Sequence, residues 1–394
     1  MASLNNKPIR VGIVGTGMVA RGLALLISYR NDMVVSGILT RRHGIIKELK
    51  VPQELLTQNP DQLFEKSDLV FVSTGDPIHT TAMIHKAFSY NLPVMTMDAD
   101  TLVVSGSWLA QKGKLCESDG DQPGCLATLK EDVEEMGFKP LVYGNIKGFH
   151  NTNPTQEDML YWSKRQGYSL ASVTSFTDGT KLQIEQCLVA NGLNASIACQ
   201  GLTGERISDL KAGAMSLAQK AYDLKKVLSD YIISAEAPPG VFIVGTHHNE
   251  LSPELKTYKM GEGPFYLHYK PTHLCFFETP KTIKRFYYHD NKLLDNGTIP
   301  QIGVAAIAKK ELTPGTLIEK GIGSFDVRGE AINITDIINM VPIGLLSKVH
   351  IKRKLEPGQI ITFDDVEIPE SLALTAWEET VALIKKRELT AVSE

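Results

Sequence analysis

The chain has 394 residues, 43% hydrophobic and 22% charged, with 41 basic against 45 acidic side chains and a net charge of −4. That composition excludes a disordered, collagenous or coiled-coil chain, and the near balance of charge argues against nucleic acid or a membrane surface as partner. Two or three domains are expected at this length.

No apolar run reaches the roughly 18–20 residues of a membrane helix. The opening Met1-Ala-Ser-Leu-Asn-Asn-Lys-Pro8 has no apolar signal core. The five cysteines (Cys116, Cys125, Cys187, Cys199 and Cys275) are odd in number and irregular in spacing. Cys116 and Cys125 could pair across a loop, but free thiols of a reducing cytoplasm are the better reading. There is no CxxC and no Cys/His ligand cluster, so no metal site is assigned.

In chain order, residues 1–145 alternate strand and helix. Ile9–Val14, Met33–Leu39, Leu69–Ser73 and Pro93–Met97 read as buried strands, Val19–Tyr29 and His79–Tyr90 as helices. Lys112–Gly124 reads as a polar loop, Leu126–Met136 as a helix, and Pro140–Tyr143 as the start of another strand. Alternation of this kind implies a doubly wound parallel sheet covered on both faces, a Rossmann domain in an α/β chain. Residues 146–299 carry longer helical stretches, Lys181–Asn191 and Leu210–Leu228, after a strand expected at Ser172–Phe176; they read as an α+β substrate domain. Residues 300–394 hold a near-repeat. Ala308–Glu319 and Ile351–Thr362 share Leu312/Leu355, Pro314/Pro357, Gly315/Gly358 and Ile318/Ile361. Each half looks like strand, Pro-Gly turn, strand, which gives a small β-rich domain closed by a helix at Ala376–Lys386.

Gly15-Thr16-Gly17-Met18-Val19-Ala20 follows a strand and opens a helix, the dinucleotide fingerprint with Ala in the third place. Gly15 permits the turn, Gly17 lets the backbone approach a pyrophosphate, and the helix N-terminus offers amides to it. The second strand ends Thr40-Arg41-Arg42, with no acid to read ribose hydroxyls. Two arginines suit a 2′-phosphate by charge-assisted bonds, so NADP is favoured and NAD stays open. Ser73-Thr74-Gly75 and Asp98 end two further strands at the same carboxyl edge, where the nicotinamide end is expected. Asp98 and Asp100 could equally cap a helix.

A reduced carbonyl needs a proton or hydrogen-bond donor at its oxygen. Candidates are Lys147, at the junction after the strand of 140–143, and Lys181, with Asp178 three residues before it and Glu185 four after. Asp178, Lys181 and Glu185 could share a helical face, or Asp178 could be a cap beside a surface Lys–Glu pair. Tyr266, His268 and Lys270 alternate on a strand and would share a face. His247-His248 with Glu250 is the weakest of these groups.

With Asn145-Ile-Lys147-Gly148 at the domain junction, the chain resembles homoserine dehydrogenases. A closer resemblance covers almost all of it. Thr174-Ser-Phe-Thr-Asp178-Gly-Thr-Lys181, Pro238-Pro-Gly-Val-Phe, Gly263–Lys270 and Pro342-Ile-Gly-Leu match homoserine-dehydrogenase-like oxidoreductases with a C-terminal SAF (antifreeze-like) domain. That family includes the second-type 1-deoxy-D-xylulose 5-phosphate reductoisomerases. The resemblance implies an NAD(P)-dependent oxidoreductase of a small hydroxylated or sugar-derived carbonyl, a small-molecule partner and a homo-oligomer. It raises Lys181 and Asp178 to leading catalytic candidates with Lys147 behind. By residue type, Asn145 and Glu185 could contact substrate, Glu185 through hydroxyls or a metal, and Tyr266, His268 and Lys270 could form a phosphate or hydroxyl site or only the polar side of a sheet. A divalent cation is implied only for a reductoisomerase. A dinucleotide-binding regulatory protein without catalysis is the remaining alternative.

Overall fold

The structure, a computed structural model, describes residues 7–392; the opening stretch Met1–Asn6 lies outside them. Among the described residues no helix is long and apolar enough to cross a membrane.

The first sheet is wholly parallel. Its strands are β1 (Ile9–Val14), β2 (Met33–Leu39), β3 (Leu56–Thr57), β4 (Leu69–Val72), β5 (Val94–Thr96) and β6 (Leu115–Glu117), in spatial order β3-β2-β1-β4-β5-β6. β4 and β5 are buried at every residue, as strands covered on both faces must be. The chain order reverses between β1 and β4, which opens a crevice beyond their carboxyl ends. Helices α1 (Met18–Ser28), α2 (Pro60–Phe64) and α3 (Pro77–Phe88) connect these strands. Asn59 and Asp76 cap α2 and α3 through their side chains, each with proline in the first turn. After β5 the chain forms α4 (Ala99–Thr101), a π-helical turn at Leu102–Gly106, and α5 (Ser107–Leu109).

β6 and the start of α6 (Gln122–Glu135) occupy the segment expected to be the polar loop 112–124. A three-residue strand followed by Ser-Asp-Gly-Asp is too short and polar to show an apolar period. Burial comes instead from its tertiary place beside β5. The N-cap Asp121 with Pro123 in the first turn was the local signal of a helix start.

The strand expected from Pro140 belongs to a second sheet, not to the first. β7 (Lys139–Lys147) runs past the expected boundary at 145 and carries Asn145 and Lys147 within it. Then come α7 (Gln156–Gln166), α8 (Leu170–Thr177), α9 (Thr180–Gly192), β8 (Glu205–Arg206), α10 (Leu210–Leu224), β9 (Leu228–Ile233), β10 (Val241–Thr246), α11 (Ser252–Thr257), β11 (Tyr266–Lys270) and α12 (Thr279–His289). The second sheet runs β11-β10-β7-β9-β8, with β7 parallel to β9 and antiparallel to β10.

The strand expected at Ser172–Phe176 is helix α8. Its β-branched residues favour a strand in isolation, but the Ser169 side chain accepts from Ser172 N and starts a helix. α10 stops at Leu224 because Lys225 is left-handed, φ 52°, and Leu228 already opens β9.

α9 is buried nearly all round, as a helix packed between several layers must be. Fully burying Leu182, Ile184 or Leu188 contributes about 1.5–3 kcal/mol each. Its first two turns deliver Lys181 and Glu185 to the space between the two sheets.

The C-terminal part holds β12 (Ile302–Ala308), β13 (Leu317–Lys320), β14 (Val327–Asn333), β15 (Ser347–Ile351) and β16 (Val366–Glu367), paired β12-β14 and β13-β15-β16. The near-repeat closes on itself about a local two-fold. Leu312 N donates to Leu355 O and Leu355 N to Leu312 O, at 3.0 and 2.9 Å; Gly315 N donates to Ile351 O and Gly358 N to Ala308 O, both at 2.8 Å. Corresponding positions of the two halves thus exchange equivalent bonds. The last helix, α13 (Leu372–Val392), is longer at both ends than the expected Ala376–Lys386. It lies against the first domain, where Trp108 Nε1 donates to Glu379 at 2.6 Å.

Candidate active site

The crevice beyond β1 and β4 is shaped for a dinucleotide. Gly15 has φ 117°, and a Cβ there would sit 2.2 Å from Ser73 O. Gly17 caps α1 with no side-chain bond, no acid lies in the first turn, and open space surrounds the position a Cβ would take. The first-turn amides of α1, Met18 and Val19 among them, therefore have room for a phosphate group, unlike those of α2 and α3. Thr16 and Thr40 hydroxyls lie 3.4 Å apart across the loop. At Gly75, φ 65°, a Cβ would likewise meet nothing within 4 Å. These residues fit a nicotinamide dinucleotide. Both arginines are exposed; Arg41 pairs with Asp76 at 3.0 Å, whereas Arg42 makes no ion pair among the described residues.

Asp98 is buried at the end of β5. Its Oδ2 accepts from Thr74 N and Gly75 N at 2.6 and 3.1 Å and thereby fixes the turn after β4. Burial pushes its carboxyl up to about 6 against the pull of those amides.

From Asp98 a chamber of buried charged groups opens toward α9. Lys181 Nζ lies 3.5 Å from Asp100 and 3.6 Å from Asp121. Burial opposes the ammonium, but Asp100, Asp121, Glu185 and Asp98 outweigh it and keep Lys181 charged well above the usual lysine range. Beside it, Glu185 accepts from Asn145 Nδ2 at 2.8 Å and pairs with Lys147 at 3.1 Å. With its amide oriented to suit these charges, Gln122 donates to Asp121 and Glu185 and accepts from Lys147. Glu117 is fully buried and neither oxygen has a hydrogen-bond partner. Burial, and then the Asp121 charge, push its carboxyl well above the usual range. On the far side Lys270 pairs with Glu278 at 2.6 Å and Asp119 at 3.7 Å.

Lys181, Lys147, Asn145 and Glu185 thus meet, with Asp98 beside Asp100 at the dinucleotide edge. Asp178 does not join them. It ends α8, its Oδ1 accepts from Thr180 N at 2.8 Å, and its Oδ2 pairs with Lys309 at 2.7 Å. The single helical face expected to carry both Asp178 and Lys181 is broken by Gly179 at φ 85°. The partners of Lys181 come instead from 100 and 121, positions a sequence period cannot connect. Tyr266, His268 and Lys270 do share a face of β11, but it packs on α6 and its following turn. Phe138 meets Tyr266 and His268 edge-on, with ring centroids 5.7 and 4.4 Å apart, and only Lys270 reaches Asp119. His247 lies edge-on to Phe138 and bonds Met136 O. All five cysteines are free, so Cys116 and Cys125 are not paired. The residues the sequence reading missed are Glu117, Asp119, Asp121 and Gln122, all in the supposed loop, and Lys309 and Lys320 from the C-terminal part. Lys320 Nζ donates to Gly75 O at 2.8 Å.

Residues 120–279 match the family described as "Oxidoreductase DRL, catalytic domain". No curated protein matches the chain. Among solved structures it is similar to a probable dehydrogenase from Thermotoga maritima, at 14% identity over 72% of this chain and 90% of that one, TM-score 0.42. A UDP-N-acetylglucosamine 3-dehydrogenase from Acidithiobacillus ferrooxidans gives 11%, 73%, 92% and 0.42. An S. aureus homoserine dehydrogenase gives 12%, 84%, 96% and 0.40. Likenesses this faint say nothing of the substrate. The family match covers the segment that supplies Asp121, Gln122, Lys147, Lys181 and Glu185 to the chamber, and with the parallel sheet ahead of it the chain is an oxidoreductase.

Proposed function

We propose that the chain is an NADP(H)-dependent oxidoreductase interconverting a CH–OH group and a carbonyl on a small hydroxylated substrate. The observation that carries this reading is the placement of Lys181 between Asp100 and Asp121, next to the Asp98 that fixes the Thr74–Gly75 turn of the dinucleotide crevice. This favours the reading because a charged donor so held would meet the negative charge that a carbonyl oxygen beside the cofactor's reactive end develops.

The bound dinucleotide would supply or accept the hydride. The chain's own groups do the rest. Gly15, Gly17 and the α1 amides would hold the pyrophosphate, and Thr40 and Arg42 would meet the ribose that carries a 2′-phosphate in NADP. Lys181 donates a hydrogen bond, and on reduction a proton, to the substrate oxygen; Asp100 and Asp121 hold its Nζ in place. Lys147, Asn145, Glu185 and Gln122 form a wall of donors and acceptors that suits neighbouring hydroxyls. Glu117, with its carboxyl raised by burial and neither oxygen hydrogen-bonded, adds a buried acid beside the same charged cluster.

Fluorescence titration of the full chain with NADPH and NADH tests the reading. NADPH is expected to bind at least about tenfold more tightly, the worth of one charge-assisted contact. Absence of binding by either dinucleotide would overturn it; a preference for NADH would overturn its NADP part.

A further inference from the structure

Lys270 ends β11, and Cys125 lies in the first turn of α6. They are 145 residues apart in sequence, yet Nζ sits 3.1 Å from Sγ. Cys125 is fully buried. The pair has a third member: Glu278 reaches Nζ with one oxygen at 2.6 Å and Sγ with the other at 3.5 Å. Asp119 adds a buried oxygen with no hydrogen-bond partner, 3.7 Å from the same ammonium.

A thiol is a poor acceptor for an ammonium, and a serine hydroxyl would serve a plain hydrogen bond better. The placement makes chemical sense if sulfur and nitrogen react. Lys270, Glu278 and Asp119 line a surface cavity of about 650 Å³, so a small oxidant reaches the nitrogen side of the pair while the sulfur stays covered from bulkier reagents.

We propose that Lys270 and Cys125 form a reversible covalent N–O–S link in the presence of dioxygen, a redox-responsive modification of this wall of the cleft. Ammonium, thiol and dioxygen give the link, one water and one proton. The S–H bond and two N–H bonds break, and one oxygen atom is inserted between sulfur and nitrogen. The other oxygen atom leaves as water. Sulfur and nitrogen each give up two electrons and dioxygen accepts all four. Glu278, 2.6 Å from Nζ, is the carboxylate nearest to the proton that the ammonium must lose before its nitrogen can react. A thiol reductant returns both side chains to their starting state. The link removes the cation that Asp119 and Glu278 share and ties β11 to α6, whose N-cap Asp121 holds Lys181.

The test uses the full chain, held in aerated buffer or under nitrogen with dithiothreitol, digested without reduction and analysed by mass spectrometry. The aerated sample should contain the peptides of Cys125 and Lys270 joined, heavier than their sum by one oxygen less two hydrogens. Dithiothreitol should release them, and Lys270→Arg should abolish the joined species. An aerated wild-type chain that yields only separate peptides, a sulfinic acid at Cys125, or a joined pair lacking the oxygen overturns the proposal.

Discussion

Lys309 and Asp178 form an ion pair of 2.7 Å whose side chains are 4% and 0% exposed, between the C-terminal domain and the turn that begins α9. Lys309 also donates to Ser324 O, and Asp178 accepts from Thr180 N, so both charges are further hydrogen-bonded. Such a pair is costly to break from one side, because the remaining charge is left buried. Lys309→Met should lower stability by about 3–5 kcal/mol, measured by urea denaturation. Adding Asp178→Asn should recover part of that loss. A Lys309→Met chain of nearly unchanged stability would refute this structural role for the pair.

The first domain was legible because its signals are local. Val11–Gly17 is a run of apolar residues ending in glycines, and β4 reads as Leu-Val-Phe-Val. The chamber was legible only in part. Lys181, Lys147 and Glu185 stood out as residue types, but Asp100 and Asp121 reach Lys181 through three-dimensional packing, and no spacing encodes that contact. The stretch Glu117–Gln122 misled for a physical reason. Polarity marks a solvated loop in most chains, whereas here it marks buried groups held in place by one another and by the neighbouring sheet strands. Asp178 misled for the opposite reason: its spacing from Lys181 was right for one helix face, and a left-handed Gly179 separated them.

The two arginines after β2 should not contribute equally. Arg41 already pairs with Asp76 at 3.0 Å and would have to leave it to meet a phosphate. Arg42→Ala is therefore expected to weaken NADPH binding by roughly tenfold or more while leaving NADH binding unchanged. Arg41→Ala should have the smaller effect. Equal losses for both dinucleotides would show that Arg42 does not touch the 2′-phosphate.

Asp98 should make stability depend on pH. Its carboxyl is raised from 3.8 to about 6 in the fold, chiefly by burial. The fold therefore binds this proton more tightly than the unfolded chain. The resulting stabilisation is full below about pH 4 and is lost as pH rises through about 6. A shift of about two units corresponds to about 3 kcal/mol. Asp98→Asn keeps an acceptor for Thr74 N but cannot titrate, so its stability relative to wild type should rise by up to about 3 kcal/mol between pH 4 and pH 7. Urea denaturation across that range measures the difference, and a constant difference would refute the assignment.

Lys181 is expected to carry the proton step. Its ammonium stands between Asp100 and Asp121, and the glycine loop lies on other elements, so Lys181→Met should leave NADPH affinity intact. Turnover should fall by about 10²–10⁴, the range for loss of a general acid. Asp121→Asn offers a finer readout. Removing one of the carboxylates that raise the Lys181 pKa should let it fall, so the alkaline limb of the pH–rate profile should move to lower pH. Asp178→Asn should lower stability through Lys309 but leave that limb in place. Lys147 is the competing donor, paired with Glu185 at 3.1 Å in the same chamber. A Lys181→Met enzyme that turns over normally beside a dead Lys147→Met would place the donor on β7, and Lys181 would then serve only to neutralise the carboxylates around it.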